Sequence, residues 1–94
     1  MGLVKEAVGT HVSTEFVAGR AGYRILRMKF PEGEGLPPHS NVQETAIVVV
    51  SGEGQISIDD KEYPAEPGAV FEIPPGHKHA VHASEPLELV ILQV

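Results

Sequence analysis

Cysteine is absent from this 94-residue sequence. A disulfide, a thiolate metal site and a thiol nucleophile are therefore excluded. Long apolar runs are missing too, since the longest, residues 46–50, is far shorter than a membrane span. Residues 1–8 lack the long apolar core of a signal peptide. We therefore expect a soluble, cytoplasmic protein without a membrane partner.

Basic residues are few. Seven lysines and arginines stand against thirteen acidic residues, which gives a formal net charge of −6. That charge would repel a phosphate backbone, so we expect no nucleic-acid partner. The chain also has no phosphate loop with lysine, no serine elbow and no dinucleotide fingerprint, and we expect no organic cofactor.

Ten glycines and eight prolines divide the chain into short segments in which apolar and polar residues alternate. This pattern is typical of many short antiparallel strands. We predict strands near residues 12–17, 23–30, 45–50, 55–58, 69–73, 79–83 and 87–94. Residues 30–38 lack a pattern and predict a loop, and only residues 3–8 could form a helical turn. About eight short strands predict an all-β sandwich or barrel.

The last predicted strand is apolar on both of its faces. Leu87, Leu89 and Ile91 share one face, while Val90, Leu92 and Val94 share the other. Residues 45–50, in the middle of the chain, are apolar almost throughout, as expected of a strand covered on both faces. Residues 12–17, like residues 87–94, look too apolar for an exposed edge. The barrel interior covers one face, and a second subunit is the simplest cover for the other. An uncovered apolar edge would invite aggregation, so we predict a homodimer.

Two segments resemble the paired motifs of the cupin superfamily. The first, over residues 35–52, contains Gly35, His39, Asn41, Thr45 and Gly52. The second, over residues 68–83, contains Gly68, Pro74, Gly76 and His79 at the intervals found in cupins. The resemblance implies one domain over residues 1–94 with the cupin fold, a double-stranded β-helix or jelly-roll barrel. It also implies four metal ligands at the open end, three histidines and one glutamate.

The first motif departs from this ligand set at two positions. His39 and His79 match the first and last ligands, but the second histidine position is Asn41, whose neutral, hard amide oxygen binds transition metals poorly. Thr45 stands at the glutamate position. Glu44 is one residue away and would need a bulge to turn inward. We take His39, His79 and Glu44 as candidate ligands of a divalent metal such as Zn, Ni, Mn or Fe.

Other residues near the motifs are candidates for contact with a bound ligand or cofactor. They are Asn41, Thr45 and His77. His77 lies two residues before His79, the spacing at which strand side chains share a face, although the preceding Gly76 is in a turn, where that rule is weak. Arg24 could bind a carboxylate, but a solvated face is the default for a lone strand arginine.

The fold alone does not decide the function. The leading hypothesis is a small cytoplasmic binding module or metalloprotein. Its pocket would hold a small polar molecule, with or without a divalent metal on His39 and His79. An alternative is a metal-dependent oxygenase or isomerase of a small organic substrate, with Glu44 as third ligand and Asn41 orienting the substrate. A third hypothesis is an assembly domain without chemistry.

Overall fold

A computed structural model describes residues 12–94, and the helical turn considered for residues 3–8 lies outside the described residues. The described chain forms nine β-strands. They are β1 (Ser13–Arg20), β2 (Tyr23–Phe30), β3 (Gly35–His39), β4 (Thr45–Ser51), β5 (Gly54–Ile58), β6 (Lys61–Ala65), β7 (Val70–Ile73), β8 (His79–Ala83) and β9 (Leu87–Gln93). Among residues 12–94, no helix has the length and hydropathy of a membrane span.

The strands build two sheets that enclose one core. A five-stranded sheet has the order β1-β2-β9-β4-β7, and a four-stranded sheet has the order β3-β8-β5-β6. The paired strands are antiparallel. Strands that follow each other in the chain often lie in different sheets, which is the crossing pattern of a jelly roll. The predicted all-β jelly-roll barrel is confirmed.

Alternation along β9 explains how the core forms. Leu87, Leu89 and Ile91 point inward and are almost fully buried. They pack with inward residues of the other strands, including Phe30 and Ile47. Full burial of a side chain of this size contributes about 1.5–3 kcal/mol each, so this inner face accounts for much of the stability of a small domain.

Two strands, β3 and β6, were not predicted. Both carry proline, with Pro37 and Pro38 in β3 and Pro64 in β6. Both lie at the edges of the four-stranded sheet, where a missing backbone N–H costs no ladder hydrogen bond. Because we took proline as a strand breaker in the sequence pattern, these two strands were not identified.

We expected residues 45–50 to be covered on both faces of their strand, and the outer face of the five-stranded sheet differs from this expectation. Val48 and Val50 of β4 are 38% and 46% exposed, so the described chain does not cover β4 on both faces. Val70 of β7 and Leu92 of β9 are exposed on the same face. Residues 12–94 by themselves thus leave an apolar face of this sheet uncovered.

Polar residues collect at one end of the barrel. Two connections meet there, residues 40–44 between β3 and β4 and residues 74–78 between β7 and β8. The N–H of Gly76 donates to the carbonyl oxygen of Asn41 at 2.8 Å and ties the two connections together. We call this end the mouth and define it by four residues at strand ends, His39, Thr45, His79 and Gln93.

Candidate ligand site at the barrel mouth

His39 and His79 form a cross-strand pair. His39 ends β3, His79 begins β8, and the two are opposite each other in the ladder. Their ring centroids are 4.2 Å apart with the ring planes inclined by 58°. His79 is only 4% exposed, whereas His39 is half-buried. The structure therefore brings one deep and one accessible imidazole together.

Backbone carbonyls determine which ring nitrogen of each histidine is available. Nδ1 of His39 lies 3.0 Å from the carbonyl oxygen of Pro37, and Nδ1 of His79 lies 3.0 Å from that of His77. A carbonyl oxygen only accepts, so each neutral ring donates from Nδ1 and keeps its lone pair on Nε2. Neither Nε2 has a hydrogen-bond partner within the described residues. The pair thus presents two nitrogen acceptors.

The charge state of His79 agrees with this assignment. Burial lowers the pKa of His79 from its usual 6.5, because the imidazolium form loses hydration. The hydrogen bond to the His77 carbonyl opposes the shift, and the nearby His39 ring adds to it through charge repulsion. The pKa of His79 remains lowered, so its ring is neutral at physiological pH.

Asn41 and Thr45 lie next to each other at the mouth. Thr45 is 3% exposed, and its hydroxyl donates to Oδ1 of Asn41 at 3.4 Å, with the carbonyl oxygen of Gln43 at the same distance. Both contacts are long for hydrogen bonds from a hydroxyl. Together with the Gly76 contact to the Asn41 backbone, they make Asn41 part of the scaffold of the mouth.

Glu44 and the ring of His77 do not join the pair. Glu44 is exposed, and its backbone exchanges hydrogen bonds with Val94 at 3.2 and 3.0 Å. Since Thr45 points inward, strand alternation turns Glu44 outward. The exposed His77 ring pairs with Asp59 on the rim. His77 contributes to the site through its carbonyl, which holds His79.

The residues present do not fit a resident four-ligand metal ion. Within residues 12–94, no group of three or more His, Cys, Asp or Glu side chains is placed to hold a metal. Of the candidate ligands His39, His79 and Glu44, the described residues bring together the two imidazoles, and their role as metal ligands stays a prediction. Asn41 and Thr45, at the other two positions, contribute neutral oxygens engaged with each other.

Sequence reasoning overlooked Gln93 as a partner of Arg24, whereas the solvated face expected for Arg24 agrees with its exposure. Gln93 is only 9% exposed, and its Oε1 accepts a hydrogen bond from Nε of Arg24 at 2.8 Å. The two residues are opposite each other in the β2–β9 ladder. The alternation along β9 could have identified Gln93 as an inward residue. Leu89 and Ile91 point inward, and Gln93 is the next residue on the same side of the strand.

Comparison with known proteins connects this geometry to one family. The family model described as Cupin domain matches residues 26–94. A search of the curated proteins found no match. An RmlC-like cupin from Desulfovibrio desulfuricans is 31% identical in sequence, with a TM-score of 0.81 over 88% of this chain and 81% of that chain.

Two further solved structures are similar in fold. An RmlC-like cupin from Shewanella frigidimarina has a TM-score of 0.87 at 17% identity, over 92% of this chain and 78% of that chain. A mutant of salicylate 1,2-dioxygenase from Pseudoaminobacter salicylatoxidans has a TM-score of 0.82 at 16% identity, over 87% of this chain and 26% of that chain. At these identities the likeness is one of fold alone.

Proposed function

This chain belongs to the cupin family, and from that premise we propose that it is a binding module that takes up a small polar molecule at the mouth of its barrel. The observation that carries the proposal is the His39–His79 pair, whose ring centroids are 4.2 Å apart and whose Nε2 atoms have no hydrogen-bond partner among the described residues. A ligand with two neighbouring O–H or N–H groups would donate to both nitrogens.

The two histidines differ in burial. His79 is 4% exposed as a residue, yet among the described residues only Nε of Arg27 is a fully buried side-chain nitrogen or oxygen without a hydrogen-bond partner, so Nε2 of His79 keeps access to a ligand or water. His39 is half-buried and supplies the more accessible acceptor of the pair. The backbone hydrogen bonds at Nδ1 hold both rings in place before a ligand arrives, which lowers the cost of binding.

In this proposal, a divalent metal ion binds only weakly to the histidine pair. Zn, Ni, Mn or Fe would find two imidazoles and would keep water in its other positions, which gives weak binding. The alternative of a metal-dependent oxygenase or isomerase is not favoured, because Glu44 points away from the histidines. The dioxygenase named above supports the fold and no shared chemistry. The cytoplasmic location stays a prediction from the sequence.

Nuclear magnetic resonance can test the proposal directly. A panel of small polyols and primary amides, starting with glycerol and acetamide, should shift the ring nitrogen signals of His39 and His79. The variant His39→Gln should lose these responses. His82→Gln is the matched control, because His82 is exposed on β8 and points to the outer face. Responses that persist unchanged in His39→Gln, or rings protonated on Nε2, would overturn the proposal.

We also propose that the chain forms a homodimer through the outer face of the five-stranded sheet. Val48 lies beside Val70 on one side and Val90 on the other, which makes the exposed apolar surface continuous. Arg27 on the same face is paired with both Glu15 and Glu88, each at 3.2 Å. Arg27 is already paired within the chain, so the apolar surface of Val48, Val70 and Val90 beside it is what a second copy would cover across a two-fold axis.

A further inference from the structure

An open depression of about 500 Å³ lies beside the β1–β2 hairpin, on the side of the mouth formed by the five-stranded sheet. Its side chains include Phe16, Arg20, Tyr23, Arg24, Gln43 and Gln93. Its lining contains two arginines, no aspartate or glutamate side chain, and Val94, whose terminal carboxylate is the anionic group of the lining. The volume is within the range of small-molecule sites, about 300–1,000 Å³.

Gln93 orients the guanidinium of Arg24 in this depression. The buried amide of Gln93 accepts from Nε of Arg24, so the guanidinium plane is held at one edge. The two Nη groups have no hydrogen-bond partner within residues 12–94. Two parallel N–H donors in a fixed plane match the two oxygens of a carboxylate.

The charges near the depression are unbalanced. Arg27, the next arginine on β2, has two glutamate partners. Arg20 and Arg24 have no acidic partner within the described part of the chain. In a chain of net charge −6, two unneutralised arginines in one depression create a local positive potential that attracts an anion.

Two aromatic side chains line the same depression as the arginines. Phe16 is 63% exposed and Tyr23 is 37% exposed. An exposed aromatic ring in this depression offers apolar contact for the body of a ligand whose charged end pairs with the arginine. From this lining we infer that the depression is a carboxylate site centred on Arg24, which takes a small organic acid with an apolar or aromatic body.

This inference goes beyond the proposed function and does not depend on it. Gln93 is opposite Thr45 in the β4–β9 ladder, so the depression and the histidine pair share the mouth. The contacts that define the carboxylate site involve no histidine. Variants of His39 and of Arg24 therefore test the two sites separately.

The test uses phenylacetate as probe at low ionic strength, followed by nuclear magnetic resonance of the full chain. Phenylacetate should shift the Nε–H signal of Arg24 and the amide signals of Gln93. Its neutral isostere, phenylacetamide, should bind about tenfold or more weakly, because it cannot form a charge-assisted pair. Acetate and inorganic phosphate, which lack the apolar body, should also bind more weakly than phenylacetate.

Single-residue variants then identify the side chains that bind phenylacetate. Arg24→Gln should weaken phenylacetate binding about tenfold or more, and Arg24→Lys should restore only part of the loss, because lysine is a point charge. Lys29→Gln removes the same charge from the outer face of β2 and should leave binding unchanged, as should His39→Gln. Equal binding of phenylacetate by Arg24→Gln, or of phenylacetamide by the unmodified chain, would overturn the inference. Phosphate binding as tight as phenylacetate would overturn the assignment to organic acids.

Discussion

Gly52, the last residue of the first motif, gives the sharpest stability prediction. Its φ is +91°, in the left-handed region, where a β-carbon costs about 1–2 kcal/mol. A Cβ at this position would also overlap the carbonyl oxygen of Pro86 and lie 2.8 Å from Cα of Leu87. These are backbone atoms at the start of β9, so they cannot rotate away. Gly52→Ala therefore combines backbone strain with a steric clash.

Two other glycines separate these contributions. Gly68 has the same φ of +91°, but an added Cβ would meet nothing within 4 Å, so Gly68→Ala measures strain alone. A Cβ at Gly54 would overlap the carbonyl oxygen of His82 and lie 3.1 Å from Cα of Ala83. Gly54 has no positive φ, so Gly54→Ala measures crowding alone.

The expected magnitudes follow from these two contributions. Gly68→Ala should lower the free energy of unfolding by about 1–2 kcal/mol. Gly54→Ala should lower it by about 1–3 kcal/mol, the usual cost of overpacking. Gly52→Ala should lose about the sum, roughly 2–5 kcal/mol, which is a large part of the about 5–15 kcal/mol available to a folded domain.

Urea unfolding with linear extrapolation measures all three variants against the parent chain. Each kcal/mol should also lower the melting temperature by about 4–8 °C in a domain of this size. The order of loss is the decisive result. If Gly52→Ala and Gly68→Ala lose the same free energy, the contact with Pro86 carries no steric constraint and the reasoning is refuted.

Three further predictions concern the mouth and the sheet face. Because the pKa of His79 is lowered from 6.5, the unfolded state binds more protons than the folded state below that pH, and stability falls as the pH drops through this range. Urea unfolding between about pH 8 and about pH 5 should show this slope, and an equal slope in His79→Gln would contradict it. Equilibrium dialysis should show weak zinc binding that Asn41→His strengthens about tenfold or more, whereas tight binding that survives His39→Ala would contradict the two-imidazole site. Static light scattering should give about twice 10.1 kDa for the parent and a monomer for Val48→Lys, and a monomeric parent would exclude the proposed interface.

Strand alternation and turn residues were sufficient to predict much of the fold. β2 and β8 have the predicted bounds, because glycine and proline flank segments whose pattern is regular. β3 and β6 could not be predicted, since a proline on a sheet edge and a proline in a loop look the same in the sequence. The exposed outer face of β4 also escaped prediction, because a run of valines does not show which face is covered.

Less of the candidate site than of the fold could be predicted from the sequence. The motifs pointed to His39 and His79, but no local pattern shows that the carbonyls of Pro37 and His77 determine which nitrogen is free. The choice between Glu44 and Thr45 depended on the register with which β4 begins. The hydrogen bond between Arg24 and Gln93 joins residues 69 positions apart, so only the ladder between β2 and β9 reveals it.

The two proposed sites have complementary chemistry, and this has a measurable consequence. The histidine pair on the four-stranded sheet presents acceptors, and Arg24 on the five-stranded sheet presents donors. Packed sheets lie about 10 Å apart, a distance at which independent sites make additive contributions. A compound that contacts one site should therefore respond to His39→Gln or to Arg24→Gln, but not to both. An acid with a hydroxyl at its far end can reach both sites, and for that ligand the double variant should depart from additivity.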